Sequence, residues 1–363
     1  MLDRSQTDRE LRRLVDEERF SGVVRISRGM EELFSGAYGF ASRTWRVANT
    51  LDTRFDTASL TKLFTAVAAL QLVDRGLLAL DTRIIPLLGL TDTAISDEVT
   101  VFQLLTHSSG IGDDCEEENG EDYEDLWRTR PNYAVTETAD FLPQFAHKEA
   151  NFPPGKACRY CNCGFVLLGL AVEKLTGLAY RDYVRERIFK PAQMSSSDFF
   201  RMDRCVPAVA EGADPIRGED GSIEAWKKNI YSFPPVGSPD SGAHVTAADL
   251  DRFLRAVRSG DLLSSGLTEQ FFRPHIFYRK RDGWAMHYGL GMWFYVEPDG
   301  HVLCCQKEGY NAGVSAVMRY FPDHDINLVI LSNMAEGAWD VSWKMHDLIL
   351  RGVEGADEAT SKQ

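Results

Sequence analysis

Ser59 and Lys62 lie three residues apart in the stretch Phe55-Asp56-Thr57-Ala58-Ser59-Leu60-Thr61-Lys62. Their types suggest acyl transfer. A serine hydroxyl is a weak nucleophile until a base takes its proton, and a lysine can be that base where burial lowers its pKa. The meeting needs a helix, because positions i and i+3 share a face about one turn apart. The residues after Ser59 supply one: Leu63, Phe64, Val67, Leu70 and Val73 make it apolar nearly all round, and it stops at Gly76. Such a pattern predicts a buried helix, which would hold the pair rigidly. Alone the motif is cheap, since chance supplies roughly 0.7 Ser-x-x-Lys in such a chain.

Two further pieces follow in order. One is Tyr160-Cys161-Asn162, between Pro153-Pro154-Gly155 and the apolar run Gly164 to Gly169; the other is Lys307-Glu308-Gly309, followed by Tyr310-Asn311-Ala312-Gly313. Chance expects roughly 0.3 Tyr-x-Asn and roughly 0.9 Lys-x-Gly, so order and context carry the signal. Singly, Ser59 reads as a helix cap, Tyr160 as a loop aromatic and Lys307 as a surface charge.

The elements that must position these residues come from both chain ends. Gly22 to Gly29 and Glu32 to Gly39 read as strands joined at Gly29-Met30. Tyr288 to Val296, Val302 to Cys305, Val314 to Tyr320 and Ile326 to Leu331 read as strands, before a helix from about Trp339 to Arg351. Between them Asn162 would cap a helix ending near Gly177, and Thr246-Ala-Ala-Asp249 would open another with a capping box. Residues 200–243, rich in Pro, Gly and charge, read as an extended loop. The prediction is an antiparallel sheet built from both termini, with residues 1–80 and 274–363 forming an α/β subdomain and 81–273 a helical one. The active site would lie in the cleft between them.

Composition narrows the class. The 363 residues are 44% apolar, enough for a large core, and 40 basic against 54 acidic residues give a net charge of −14. That balance argues against nucleic-acid or anionic-membrane partners. The charged start, Met1 to Phe20, lacks the apolar core of an export signal, which predicts a cytoplasmic protein. Seven cysteines then read as reduced thiols. Cys158, Cys161 and Cys163 invite a zinc reading, but no His stands at ligand spacing, so they read as small pocket-lining residues. The acidic segment Asp113 to Asp125 reads as a solvated, mobile loop or, more sharply, as an active-site rim that disfavours anions; it lacks calcium-loop spacing.

Taken together, these motifs resemble the serine β-lactamase and penicillin-binding protein superfamily on its class C side, which includes D-alanyl-D-alanine carboxypeptidases, D-aminopeptidases and family VIII carboxylesterases. Phe55 to Lys62 is similar to its nucleophile segment, Leu104-Leu105-Thr106-His107-Ser108-Ser109-Gly110-Ile111 to its Leu-Leu-Thr-His-x-Ser-Gly block, and Gly237 to Phe253 to its Gly-rich stretch before a Thr-capped helix. Phe321-Pro322-Asp323 through Leu331-Ser332-Asn333 is similar to its closing strand pair, and the likeness spans about 15–350. The resemblance implies an α/β (α+β) β-lactamase/transpeptidase-like fold. It implies Ser59 as nucleophile, Lys62 and Tyr160 sharing proton transfer, and the backbone N–H groups of Ser59 and Tyr310 as an oxyanion hole. Asn162 would bind a substrate amide or orient Lys62, Lys307 would attract a carboxylate or tune Tyr160, and Gly309 would belong to the substrate-binding set. His107 would hydrogen-bond backbone in a turn. No cofactor or metal is implied; the partner is a small-molecule ester, amide or β-lactam-like substrate, and the oligomeric state is unknown.

Two departures bear on the substrate. Cys161 replaces the family's usual Ser or Ala, and Glu308 its commoner Thr or Gly. Glu308 is expected to pair with Lys307 and weaken its hold on anions, which favours an ester or amide hydrolase over a β-lactamase or D-Ala-D-Ala carboxypeptidase. A non-hydrolytic binding scaffold is the reading from another class. The chain has no Gly-x-Ser-x-Gly elbow and no His-Glu-x-x-His helix.

Overall fold

The computed structural model describes residues 3–281 and 283–360. Helix α1 (Arg4–Asp16) leads into strands β1 (Gly22–Arg28) and β2 (Glu31–Tyr38). Three long helices follow among shorter ones: α2 (Lys62–Asp74), α3 (Cys163–Thr176) and α4 (Ala247–Arg258). The chain then runs through β3 (Ile276–Arg281), β4 (Trp284–Tyr288), β5 (Trp293–Val296), β6 (Val302–Asn311), β7 (Val314–Phe321) and β8 (Ile326–Ser332), and closes in helix α5 (Gly337–Thr360).

These strands make one eight-stranded sheet in the order β2-β1-β8-β7-β6-β5-β4-β3, so both chain ends build it. Every paired neighbour is antiparallel, and β1 joins β8 with Gly22 opposite Ser332 and Arg28 opposite Ile326. Strand β8 is buried along its whole length because the sheet is covered on both faces. Its Val329 and Leu331 join the large core with α2, α3 and α4, while Leu328 and Ile330 join a second core with α1 and α5. This is the period-2 alternation of a strand with two apolar faces.

Helix α2 is the buried post expected from its all-round apolar sequence. Every residue from Lys62 to Leu70 is buried, and Phe64 meets Phe189 and Phe253 edge-on at 5.0 and 4.8 Å. Thr246 caps α4 by accepting from the N–H of Asp249. The return half of the expected capping box is missing, because the Asp249 carboxylate is taken by Ser196, Ser197 and Arg252.

The structure differs from the sequence reading at four places. Residues 200–243 are not all loop: Ala213–Arg217 and Ile223–Lys228 form an antiparallel hairpin whose mostly exposed strands show no apolar alternation. The expected strand Tyr288 to Val296 is two strands broken at Gly289–Met292, where Gly291 takes φ +98°. Strand β3, IFYRKR, was missed because it is a charged, largely exposed edge. Strand β6 continues past Cys305 to Asn311 and so carries the whole Lys307-Glu308-Gly309 motif.

Candidate active site

The backbone around Ser59 is a tight 3-10 turn, Ala58–Thr61, leading directly into α2. In such a turn i and i+3 nearly eclipse, which brings Lys62 over Ser59 more directly than an α-helical turn would. Ala58 adopts φ +43°, a left-handed conformation costly for a residue with a Cβ, immediately before Ser59. The strain is held by Asp56, whose carboxylate accepts from the Ala58 N–H at 2.7 Å, and by Thr57, whose hydroxyl donates to the Ala243 carbonyl at 2.8 Å.

Strand β6 lies against this turn. A Cβ on Gly309 would fall 2.0 Å from the Thr57 carbonyl oxygen and 3.1 Å from the Ser59 nitrogen, so only glycine allows the approach. Strand β5 pairs with β6 only as far as Trp293–Gln306, so residues 307–311 have β7 on one side and no strand on the other. A cleft of about 390 Å³ lies there, lined by Ser59, Tyr160, Lys307 and Tyr310 together with Glu117 and Glu118 of the acidic segment.

The structure brings Ser59, Lys62, Tyr160 and Asn162 into one network. Ser59 Oγ lies 2.7 Å from the Tyr160 hydroxyl and 3.0 Å from Lys62 Nζ, both within direct proton-transfer reach. Lys62 is fully buried, and Nζ also donates to Asn162 Oδ1 at 2.7 Å and to the Asp240 carbonyl at 2.8 Å. All three ammonium protons therefore have acceptors. Asn162 stands at the N-terminus of α3 but its side chain does not cap the helix. That correction has a physical cause: the Asp113 carboxylate accepts from the N–H groups of Asn162 and Cys163 at 2.9 Å, which frees the Asn162 amide for Lys62.

Electrostatics depart from the simple expectation of a lysine neutralised by burial. Burial works against the Lys62 charge, but Tyr160, Asp240 and Asp113 outweigh it and hold the amine above its usual range. Burial pushes the Tyr160 hydroxyl up to about 12, against the pull of Lys62. The depressed lysine is Lys307, held well below the ordinary range by burial and by the Lys62 charge. Its Nζ stands 4.8 Å above the Tyr160 ring centroid and 5.5 Å from that of Trp293. Among the described residues it has no hydrogen-bond or ion-pair partner.

Glu308 does not form the expected ion pair with Lys307. Adjacent strand residues point to opposite faces, and Glu308 instead accepts from Gln306 Nε2 at 2.6 Å. Gln306 is in turn held by the buried Arg319 at 2.7 Å. His107 takes the expected backbone role: Nδ1 accepts from the Cys161 N–H at 3.1 Å, and its ring stacks 4.6 Å from that of Tyr160.

The acidic segment is no free loop at its start. Asp113 and Asp114 are buried, Glu116 pairs with Arg159 at 2.6 Å, and Glu118 accepts from Tyr278 across the cleft at 3.0 Å. The rim reading is the one that fits. Asp113 is the residue that sequence reasoning passed over; the only signal was its place two residues after Ile111 in the Leu-Leu-Thr-His block. Cys161 and Cys163 both lie against the buried Asp113–Asp114 pair, at 3.5 Å from Asp113 Oδ1 and 3.1 Å from the Asp114 N–H, whereas Cys158 points away at the Thr106 carbonyl, so the three do not form one ligand set.

Known proteins share the fold that carries this arrangement. A family model described as Beta-lactamase matches residues 7–344. The chain is 28% identical to penicillin-binding protein 4 of Amycolatopsis lactamdurans, covering 86% of this chain and 79% of that protein. It is 27% identical to the D-aminopeptidase of Brucella anthropi, covering 93% of this chain and 60% of the relative. The crystal structure of a penicillin binding protein from Bacillus halodurans superposes with a TM-score of 0.85 at 36% identity, covering 93% of this chain and 99% of that one. On the match over residues 7–344 and the fold it shares, this chain belongs to the β-lactamase family of serine hydrolases.

Proposed function

We propose that Ser59 is the nucleophile of an acyl transfer that hydrolyses a small-molecule ester or amide. The carrying observation is the double contact at Ser59 Oγ, 2.7 Å from Tyr160 and 3.0 Å from Lys62. The Ser59 oxygen attacks the carbonyl carbon while its proton passes to the Lys62–Tyr160 pair, in the form that lacks one proton. The tetrahedral oxyanion is held by the Ser59 and Tyr310 N–H groups. The leaving alcohol or amine then takes the proton from the pair, and water returns the acyl group as an acid and restores Ser59.

A second reading, hydrolysis of a carboxylate-bearing β-lactam or D-Ala-D-Ala-type peptide, is favoured by Lys307. It borders the cleft and, among the described residues, makes no ion pair, so Glu308 and Glu117 act on it only at a distance and leave its ammonium free to meet a substrate carboxylate. The relatives named penicillin-binding protein and D-aminopeptidase lend support to substrates of this amide class.

Intact mass after treatment with a fluorophosphonate or penicillin-type probe tests the common core. One adduct on Ser59, lost in Ser59→Ala together with turnover, is the expected result. Labelling that survives in Ser59→Ala sinks the assignment, and no labelling or turnover by folded protein leaves a binding scaffold. Hydrolysis of p-nitrophenyl esters but not nitrocefin separates the first reading from the second.

A further inference from the structure

We infer that Asp113 is a positioning residue, whose buried carboxylate sets the orientation of the Asn162 amide and through it aims Lys62 at Ser59. This rests on the acyl-transfer reading of Ser59 and Lys62. Asp113 is 3% exposed. Each of its oxygens lies 2.9 Å from the Asn162 N–H, Oδ1 also accepts from the Cys163 N–H at 2.9 Å, and Asn162 Nδ2 donates to Oδ2 at 3.3 Å.

The amide orientation follows from the charges around it. With Nδ2 toward Asp113, and toward Glu117 Oε1 at 3.4 Å, the donor faces carboxylates and Oδ1 faces the Lys62 ammonium at 2.7 Å. Flipped, Oδ1 would confront two carboxylates and Nδ2 a cation, so both ends would repel. Once Asn162 Oδ1 and the Asp240 carbonyl hold two protons of Lys62, the third is directed at Ser59 Oγ, 3.0 Å away. Asp113 bonds neither to the reacting atoms nor to the cleft's catalytic hydroxyls; its charge acts on Lys62 at a distance, and its hydrogen bonds act through Asn162. Burial raises the Asp113 carboxyl, against the pull of the Asn162 and Cys163 N–H groups, but it raises its neighbour further. Burial and the nearby Asp113 charge push Asp114 well above the carboxylate range, so the proton of the adjacent acids belongs on Asp114.

The same carboxylate caps α3, and the test must separate the two roles. Asparagine caps a helix about as well as aspartate. Asp113→Asn therefore keeps the cap but presents an NH₂ to Asn162 Nδ2, which frees the Asn162 amide to flip. With a p-nitrophenyl ester as substrate, and compared at the alkaline end of the pH profile, where the lost Asp113 charge on Lys62 matters least, Asp113→Asn is expected to lower kcat roughly 10- to 100-fold while KM changes less than about 2-fold. Asn162→Ala is expected to lose at least as much, and the double variant no more than Asn162→Ala, because the effect passes through one amide. A kcat within about 2-fold of wild type for Asp113→Asn, or losses that multiply in the double variant, overturns the inference. Asp113→Ser, which also keeps a capping oxygen, carries the same expectation if the Asn variant does not fold. Ser59→Ala run alongside distinguishes the two failures: turnover surviving there sinks the acyl-transfer reading itself, whereas an inactive Ser59→Ala beside a fully active Asp113→Asn sinks only the role of Asp113.

Discussion

Lys62 Nζ and Asn162 Oδ1 meet at 2.7 Å although 100 residues separate them in the chain. The contact ties the turn before α2 to the start of α3, and it is one of three that saturate the Lys62 ammonium. A lysine so placed is an orienting cation first, and a base only after it or Tyr160 has given up a proton.

The pH dependence of turnover follows from that. Lys62 is held above its ordinary range and Tyr160 is pushed up to about 12, so at neutral pH the pair is mostly fully protonated. The reactive form has lost one proton, and a raised pKa makes that form scarcer at low pH. We expect kcat/KM for a neutral ester to climb about tenfold per pH unit between about pH 6 and 9, without an acid-side plateau. Tyr160→Phe should cost about 10²- to 10⁴-fold in kcat and flatten the rise. A profile already level at pH 6 to 7 would show that the pair is not so raised.

Gly309→Ala tests the contact between β6 and the nucleophile turn. The added methyl would meet the Thr57 carbonyl oxygen at 2.0 Å, so the turn or the strand must move. A displacement near 1 Å at Ser59 is enough for about a 100-fold loss of kcat. The lost rate should appear with the protein still folded by circular dichroism and with fluorophosphonate labelling slowed in proportion. Unchanged kinetics would mean that the approach is looser than drawn.

Lys307 is expected to make anion binding pH-dependent with the opposite sign. Burial and the Lys62 charge depress its pKa, so the charged form is populated at low pH and lost as pH rises through a value below the ordinary lysine range. A competitive inhibitor bearing a carboxylate should bind more tightly as pH falls, while its methyl ester should not respond. Lys307→Met should abolish the difference between acid and ester. Equal pH profiles for the two inhibitors would remove Lys307 from substrate recognition.

Much of this arrangement was readable in the sequence, and the losses have specific causes. The Ser59, Tyr160 and Lys307 motifs carried their own flanking patterns, and the apolar run after Lys62 announced a buried helix. Strand β3 was hidden because exposed Arg279, Lys280 and Arg281 give an edge strand no apolar alternation. The end of β6 was hidden for the converse reason: Gln306 and Lys307 are polar yet fully or nearly fully buried, Gln306 bonded to Tyr295 and Arg319 and Lys307 set over the Tyr160 and Trp293 rings, contacts that a local pattern does not contain. Asp113 was invisible as an individual because six further acids follow within the next nine positions, and composition alone cannot tell a capping carboxylate from a solvated one. Asn162 was assigned the cap by residue type, whereas long-range charge on Lys62 competes for the same amide.

The final expectation concerns the buried residues that hold Glu308 at the border of the cleft. Arg319 is fully buried; its Nε donates to Gln306 Oε1 at 2.7 Å, its Nη1 to the Ser342 carbonyl at 3.4 Å, and its guanidinium lies 4.8 Å over Trp343. Gln306 passes the interaction on to Glu308. Arg319→Met keeps most of the buried stem but leaves the Gln306 carbonyl unpaired and takes from Glu308 the strongest of the cations, with Lys307 and Arg279, that offset its burial. Removing one partner from such a buried set costs about 3–5 kcal/mol. We expect a loss of unfolding free energy of that size, read from a lowered urea midpoint at unchanged m. The kcat of the folded fraction toward a neutral ester should stay close to the wild-type value, because Arg319 and Gln306 bond to neither Ser59, Lys62 nor Tyr160 and reach the cleft only through Glu308 at its border. A loss below about 1 kcal/mol would mean that Glu308 is held by something other than the Arg319–Gln306 chain.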